Sequence, residues 1–596
     1  MKIELPGKDN RWVQINKGDY SGNVWSSWNL DLDSNPGTVR VSPATTIVTS
    51  SATNTNSSLL VYPVAFCRTS ADGNDSVWAL CDHALYKHTG SNFTPDIGSS
   101  TGTPTTSLSY LYSDMVEFNS WLVVSLNGTE IVALKPTNPT AWDTTWWTTS
   151  CSGSALTVNV PHPLCVGFDD KLLIGNGNVI AQATKLENAD DSILTLPSNF
   201  EVIWIRSSKT EYWIGCRNKR GKNGKVFTWD GYSEDTTGQY EIGSSECLAG
   251  CIKDDICFVL NSLGQILQFN GAGFSELGRL PIMDSSKRWV NDNHLQVHQR
   301  GMGLIDNKIH ILLNADLGGY NNYNEFLQNM LSGIWCFDPD KGGFYHKYSI
   351  TKKSGDVVDY GSPIIVQSGG LMDLSSSNLS TLPASAKFLA GCQLYTQNGE
   401  DVSTSIGAVN KLGANTSAKV GYLITPRIPT AEVEENWQKI YLLIKKFLNS
   451  TSKIKVKYRT DYKDFGIGQT VGLTGLWTTL NAFTCAATAF TDNAEVGDEI
   501  EILTGQGSGM SANITGLNGS ACVIDEIMPV GITGYNRIRV SNWKDVGTSV
   551  NTQGLRNFEL PIDARSSWIQ FKLVFFFTGD EELEKLIIKS EPQLRA

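Results

Sequence analysis

Apolar runs of three to five residues alternate with short polar turns over the first two-thirds of the chain, a texture that predicts strands rather than helices. The runs pair as hairpins, each left through a Gly-aromatic exit. One hairpin is Val77-Trp78-Ala79-Leu80 with Ala84-Leu85-Tyr86, followed by Gly90 and Phe93. Another joins Trp121-Leu122-Val123-Val124 to Ile131-Val132-Ala133-Leu134 through Asn127-Gly128. Leu172-Leu173-Ile174 opens a third, and Tyr212-Trp213-Ile214 with Lys225–Trp229 a fourth. The clearest copy is Ile256–Leu260, a turn at Asn261–Gly264, Ile266–Phe269, and an exit at Gly273-Phe274. Ile309–Leu313 with Ile334–Phe337, and Phe388–Ala390 with Leu394-Tyr395, complete the series. The copies start at 77, 121, 172, 212, 256, 309 and 388. Apart from the last gap, which absorbs an insertion around Gly318–Met330, the spacing matches the roughly 40–50 residues of a four-stranded propeller blade. Radial repetition also removes the exposed edges that open sheets would leave.

The predicted architecture is all-β: a six- or seven-bladed β-propeller followed by a β-sandwich with an inserted small β-barrel. Residues 1–57 form an N-terminal arm able to close the propeller, 58–401 the propeller, 402–419 a polar linker, and 420–596 the sandwich. Within the last unit, Ile454-Lys455-Val456-Lys457-Tyr458-Arg459 alternates strictly, as a half-buried strand with a basic outer face does. The glycine-punctuated stretch at about 483–546, with Val496–Ile502 and Ile514, is the expected barrel, inserted at a loop tip. Only Glu432–Glu435 and Glu581–Glu584 are expected to start short helices. Trp12, Trp25 and Trp28 are large apolar groups in an arm with little core of its own, so burial against another element is expected.

Composition sharpens this picture. With 48 Lys+Arg against 60 Asp+Glu the net charge is −12, which disfavours a nucleic-acid binder acting by bulk charge. The apolar and aromatic content, 40% and 10%, is enough for large cores and excludes a disordered chain. The opening MKIELPGKDN lacks the apolar stretch of a signal peptide, and no run reaches the roughly 20 apolar residues of a membrane span. A soluble protein made in a cytosol is expected. The twelve cysteines are scattered singly, mostly inside apolar runs, and read as small buried hydrophobes.

Chemistry is harder to find. His294 and His298 are four apart, but without a HExxH frame and in a segment that reads as extended. No G-x-S-x-G elbow, Walker loop or dinucleotide fingerprint occurs. Ser70–Trp78 approaches the Asp box of sialidase propellers with its glycine one place early, and does not recur. Asp169-Asp170 and Asp190-Asp191 are adjacent pairs that extended backbone would point apart. Asp31, Asp33 and Asn35 alternate as calcium ligands do, but Pro36 stands where the loop glycine belongs, and Asx turns explain the same residues. No catalytic, cofactor-binding or metal residues are assigned, no cofactor is expected, and an enzyme is not.

The segment Trp25-Ser26-Ser27-Trp28-Asn29-Leu30-Asp31-Leu32-Asp33-Ser34-Asn35-Pro36-Gly37-Thr38-Val39-Arg40-Val41-Ser42-Pro43 resembles the start of virion proteins from tailed bacteriophages. So does the plan of a propeller followed by a sandwich containing Trp437-Gln438-Lys439-Ile440 and Val456-Lys457-Tyr458-Arg459-Thr460-Asp461. The resemblance implies a structural part of the tail, of the nozzle, hub or adaptor kind. It further implies self-association into a ring, with a homohexamer expected, and contacts with adaptor and fibre proteins. DNA would be a transient cargo, without membrane insertion, in a virion assembled in the bacterial cytoplasm. The alternatives are a host-glycan-binding adhesin displaying aromatics such as Trp146 and Trp147, and a surface polysaccharide hydrolase.

Overall fold

The computed structural model describes residues 2–6, 12, 24, 26–33, 35, 37–42, 45–49, 63–81, 84–88, 93–97, 113–126, 128–221, 223–243, 245–280, 297–313, 333–339, 343–348, 350, 365–374, 388–394, 406–412, 419–429, 435–446, 451–460, 464–473, 482–484, 494–502, 511–518, 521–525, 534–547, 550, 555–577 and 580–592. The Gly318–Met330 insertion, Trp25, His294 and Glu432–Glu434 lie outside them. The fold is all-β and propeller-like.

Seven four-stranded antiparallel sheets carry the first two-thirds of the chain. Sheets I to VI are simple meanders over 63–97, 114–143, 164–195, 200–241, 247–279 and 302–348. Sheet VII takes Ile365–Asp373, Phe388–Leu394 and Ile406–Leu412, and its fourth strand is Thr45–Thr49 from the N-terminal arm. The first strand of each sheet touches the first strand of the next, and that of sheet VII returns to Pro63–Thr69 of sheet I, closing the cycle. The seven apolar runs that mark the repeat are the second strands of the seven sheets.

Local chemistry sets the hairpins. Asn119-Ser120, Asp254-Asp255 and Asp306-Asn307 each carry two consecutive positive φ angles, between 49° and 63°. This is the two-residue turn whose twist matches the flanking strands, and Asn and Asp tolerate it best. Trp204 wedges between sheets IV and V, where a Cβ on Gly215 or Gly250 would run into its indole. Those two glycines are needed for close approach.

Residues 402–419, expected as a linker, contain the strand Ile406–Leu412, paired on both sides. Its Gly, Asn and Lys hide any apolar period, and the pairing is supplied by neighbours more than 300 residues away along the chain on one side.

The C-terminal unit has two facing sheets. One runs Lys2–Leu5, Glu582–Pro592, Glu435–Lys446, Asn557–Ser566; the other runs Ser26–Trp28, Lys419–Ile424, Trp568–Phe577, Lys453–Arg459, Lys544–Asp545. A third sheet of six strands lies between Asp464 and Ser541 in sequence, and its first and last strands, Asp464–Leu473 and Ala482–Thr484, also touch. The N-terminal arm thus contributes strands to both facing sheets and to sheet VII. Trp12 and Trp28 are buried, with Trp12 Nε1 donating to the Glu584 carbonyl at 3.2 Å.

Three expectations are corrected here. Glu581–Glu584 starts a strand, not a helix, because Leu583, Leu586 and Ile588 fill the core between the facing sheets. The lysine strand is buried on both faces: Lys455, Lys457 and Arg459 are covered by the six-stranded sheet and its flanks, while Ile454 and Val456 fill the core. Trp146 and Trp147 are fully buried in a single π-helical turn, Trp146–Ser150, with both indole N–H groups bonded, to Glu187 and to the Ser154 carbonyl. They cannot serve as displayed aromatics.

Candidate functional site

The axis of the seven-sheet cycle is where a propeller-like fold concentrates polar side chains, and a cluster sits there. Asp114 opens sheet II and is wholly buried. It accepts two bonds from Arg300, at 2.7 Å from Nε and 3.0 Å from Nη2, and one from the Leu164 backbone at 2.9 Å. Arg300 also donates to the Leu164 carbonyl at 3.0 Å, and its own carbonyl accepts from Leu371 N at 2.8 Å. Arg206 from sheet IV donates to the carbonyls of Gly250, Gln299 and Ile205 at 2.9, 2.6 and 2.8 Å. Residues 297–301, leading into sheet VI, are therefore tied to sheets II, III, IV and VII at once. They cross the ring as a crossbar.

Electrostatics follow from this burial. Desolvation pulls the Arg206 guanidinium down to about 10, helped by the like charge of Arg300. Arg300 suffers the same desolvation, but the Asp114 carboxylate more than offsets it and holds the group above its ordinary value. His298 accepts the Arg300 N–H at Nδ1 at 3.1 Å, which places its proton on Nε2. Burial lowers its pKa to about 4. It stays neutral at physiological pH. Chemically the cluster is a fixed polar brace: its carboxylate is clamped by a guanidinium, and its imidazole nitrogen is occupied by backbone.

A second cluster joins the N-terminal arm to sheet VI. Asp33 receives Lys347 Nζ at 2.9 and 3.1 Å, and Lys308 as well. Burial would raise the Asp33 pKa, but its bond to Asp31 and the charges of Lys347 and Lys308 hold it well below the usual carboxylate range. Asp31 pairs with Arg40, with bonds at 2.8 Å and 2.6 Å, and Asn35 donates to Glu582 at 2.6 Å. The three alternating oxygen residues read as a possible calcium loop thus face three different partners. Trp28 stacks between His346 and Tyr422, at 5.9 and 6.0 Å, and Asn29 N donates to His346 Nδ1 at 3.0 Å.

A third cluster holds the six-stranded sheet to the C-terminal unit. Glu499 is buried between Lys572 at 3.0 Å and Lys457 at 3.5 Å, whose charges outweigh desolvation and lower its pKa. Lys457 also donates to Asn513 at 3.0 Å, and Arg459 lies 4.2 Å from the Trp543 ring centroid. The alternating basic residues signalled this contact, but its acidic partner, Glu499, carries no local signature.

Of the other residues singled out, Asp169 bonds the Tyr212 hydroxyl and Lys171, while Asp170 turns away to Lys185. Asp190 caps Ser192 N, and Asp191 binds Ser154. Asp72 in the Asp-box-like turn accepts from Asn74 N and Ser76 and pairs with Lys87. The eleven described cysteines are buried. Among the described residues, no group of three His, Cys, Asp or Glu side chains converges as metal ligands do, and no helix is long and apolar enough to cross a membrane.

No family model and no curated protein matches the chain. Solved structures similar to it include the extracellular domain of the putative hybrid two component system BT4673 from B. thetaiotaomicron, at 10% identity and TM-score 0.39 over 66% of this chain. The match covers 43% of that chain, less than half its length. A chain of the mitotic checkpoint complex matches at 12% identity and TM-score 0.35, covering 59% of this chain and 87% of that one. BBS1N, from its complex with ARL6DN, matches at 9% and 0.36, covering 60% and 94%. None of the three is described as a phage protein.

Proposed function

We propose that the chain is a non-enzymatic structural component of a bacteriophage tail, a nozzle or hub subunit. In this reading its fold is a seven-bladed β-propeller followed by a β-sandwich with an inserted barrel. Copies associate into a ring, six being the expected number, around a passage for DNA, and adaptor and fibre proteins seat on its outside. The observation that supports it is the lacing of the chain. One N-terminal arm supplies strands to three sheets, and Asp33, with Lys308 and Lys347, pins that arm to sheet VI. A part that transmits force during ejection needs its blocks held together in this way. The three buried clusters are braces, each carboxylate being clamped by Arg or Lys.

The net charge of −12 suits the same role. An acidic wall repels the phosphates of DNA, which carry a charge about every 1.7 Å of duplex, and so does not retain the cargo. The experiment is localisation in the assembled particle, imaging virions with a tag on this chain. Density for a closed ring on the tail axis with a net negative lumen is expected. A peripheral position, a lysine- and arginine-lined pore, or absence from the particle would refute the reading.

A further inference from the structure

Lys347 meets both oxygens of the carboxylate it clamps. Its Nζ stands 2.9 Å from Asp33 Oδ1 and 3.1 Å from Oδ2. An atom that close to both oxygens lies within about 3.4 Å of the carbon between them, inside the range of a near-attack pair. Glu499, by contrast, meets Lys572 and Lys457 through Oε1, and its Oε2 is buried without a donor. The pair is also dry, the side chains being 4% exposed for Lys347 and 2% for Asp33. Buried Cys336, Tyr345 and Tyr348 wall it, with the Tyr348 ring centroid 5.4 Å from Nζ and Cys336 Sγ 3.8 Å from Asp33 Oδ2.

Three further groups face the same carboxylate. Asp31 is in hydrogen-bond contact with it, and its charge also acts on Lys347. Lys308 binds Oδ2, and at 24% exposure it stays hydrated and charged. The buried Tyr345 hydroxyl lies beside Asp33. A nucleophile, a carboxyl carbon, a second carboxylate to relay a proton and two donors for an oxyanion thus meet at one buried point. Burial disfavours both charges of the resting ion pair, and condensation to an amide removes them together.

We propose that Lys347 and Asp33 condense into an intramolecular isopeptide bond that fastens the N-terminal arm to sheet VI. One ammonium proton of Lys347 first crosses the hydrogen bond to Asp33 Oδ1, leaving a neutral amine and a neutral carboxyl. The amine lone pair attacks Cγ, and the electron pair displaced from the C=O bond rests on Oδ2, held by Lys308 and Tyr345. Asp31 takes a second proton from the nitrogen and passes it to Oδ1. The Cγ–Oδ1 bond then breaks, water leaves, and Oδ2 becomes the amide carbonyl. Two ammonium protons and one carboxylate oxygen make up the water, so the step consumes no oxidant or activating co-reactant. The link joins residues 314 apart in the chain and shares no premise with the tail reading, beyond which it goes.

The test is the denatured mass of the full chain, purified and incubated at neutral pH, together with a tryptic digest. The parent is expected to be one water lighter than its sequence. Trypsin does not cut after an acylated lysine, so the digest should hold a branched peptide joining Gly18–Arg40 to Gly342–Lys352 through Asp33 and Lys347. Lys347→Arg keeps a cation beside Asp33 without a nucleophilic amine, and should show the full sequence mass. Asp33→Asn keeps the acyl carbon and should release ammonia instead, a mass change that no ion pair produces. Asp31→Asn should lengthen the half-time of water loss at least about tenfold and leave the final mass unchanged. Full sequence mass in the incubated parent would overturn the proposal. So would a water loss that survives Lys347→Arg, which belongs to cyclisation at an Asp-Gly step such as Asp72-Gly73 or Asp230-Gly231. Either result leaves the tail reading standing, and an off-axis location in the particle leaves the isopeptide standing.

Discussion

Replacing Asp114 with alanine removes the carboxylate that clamps Arg300 in the ring centre. Three consequences add. The guanidinium loses two charge-assisted bonds, the Leu164 N–H loses its acceptor, and a positive charge is left beside Arg206, itself already depressed by burial. Breaking a buried ion pair by removing one partner costs about 3–5 kcal/mol. The Arg300 side chain keeps 26% exposure, so water screens part of the penalty and the lower end applies. The orphaned backbone N–H adds about 1 kcal/mol. Asp114→Ala is therefore expected to destabilise the seven-sheet part by about 3–4 kcal/mol. Arg300→Met alone leaves Asp114 buried with two backbone donors, Met115 N and Leu164 N, and no cation bonded to it, and should cost a similar amount. The double variant removes both charges, so it should cost clearly less than the sum, with a coupling of about 2 kcal/mol or more. The assay is urea unfolding at pH 7.5 followed by tryptophan fluorescence, at one protein concentration for all four proteins. A single variant within about 1 kcal/mol of the parent, or strict additivity, would show that the crossbar does not hold the ring through this pair.

Acid should weaken the fold before its carboxylates titrate. His298 and His310 have pKa values lowered by burial to about 4 and about 3, against an unfolded value near 6.5, so their stabilising contribution is complete above about pH 6.5 and falls as pH drops towards 4. Together they give a slope of up to about 2.7 kcal/mol per pH unit between 6 and 5, and a urea midpoint unchanged between pH 7 and 5 would contradict this. Deleting residues 1–42 strips strands from both C-terminal sheets and removes Asp33 from between Lys308 and Lys347. The truncated chain should show faster proteolysis of its C-terminal part and a lower melting temperature; parent-like behaviour in both would mean the arm is dispensable.

The repeat was open to reading because hairpin chemistry is local. The turns Asn127-Gly128 and Asn261–Gly264 are signalled within a few residues, and runs such as Ile256–Leu260 recur with such turns at blade spacing. Ile406–Leu412 escaped because Gly, Asn and Lys interrupt its apolar residues and one of its two hydrogen-bonding partners, Thr45–Thr49, lies far away in sequence. Glu581–Glu584 misled for the related reason that pairing with Glu435–Lys446 overrides the helical preference of acidic residues. The basic alternation at Lys455, Lys457 and Arg459 correctly marked one face of a strand, but alternation cannot tell solvent from a covering sheet, and Glu499 comes from a separate strand. Trp146 and Trp147 show the same limit: exposure is a property of neighbours, and Glu187 and Ser154 reach them only in three dimensions. Sequence alone thus determined strand chemistry, period and composition, all set within a few residues. Which strands close the cycle, what covers each face, and the Asp114–Arg300, Asp33–Lys347 and Glu499–Lys572 pairs were decided only by tertiary structure, because those contacts bring together groups 186, 314 and 73 residues apart.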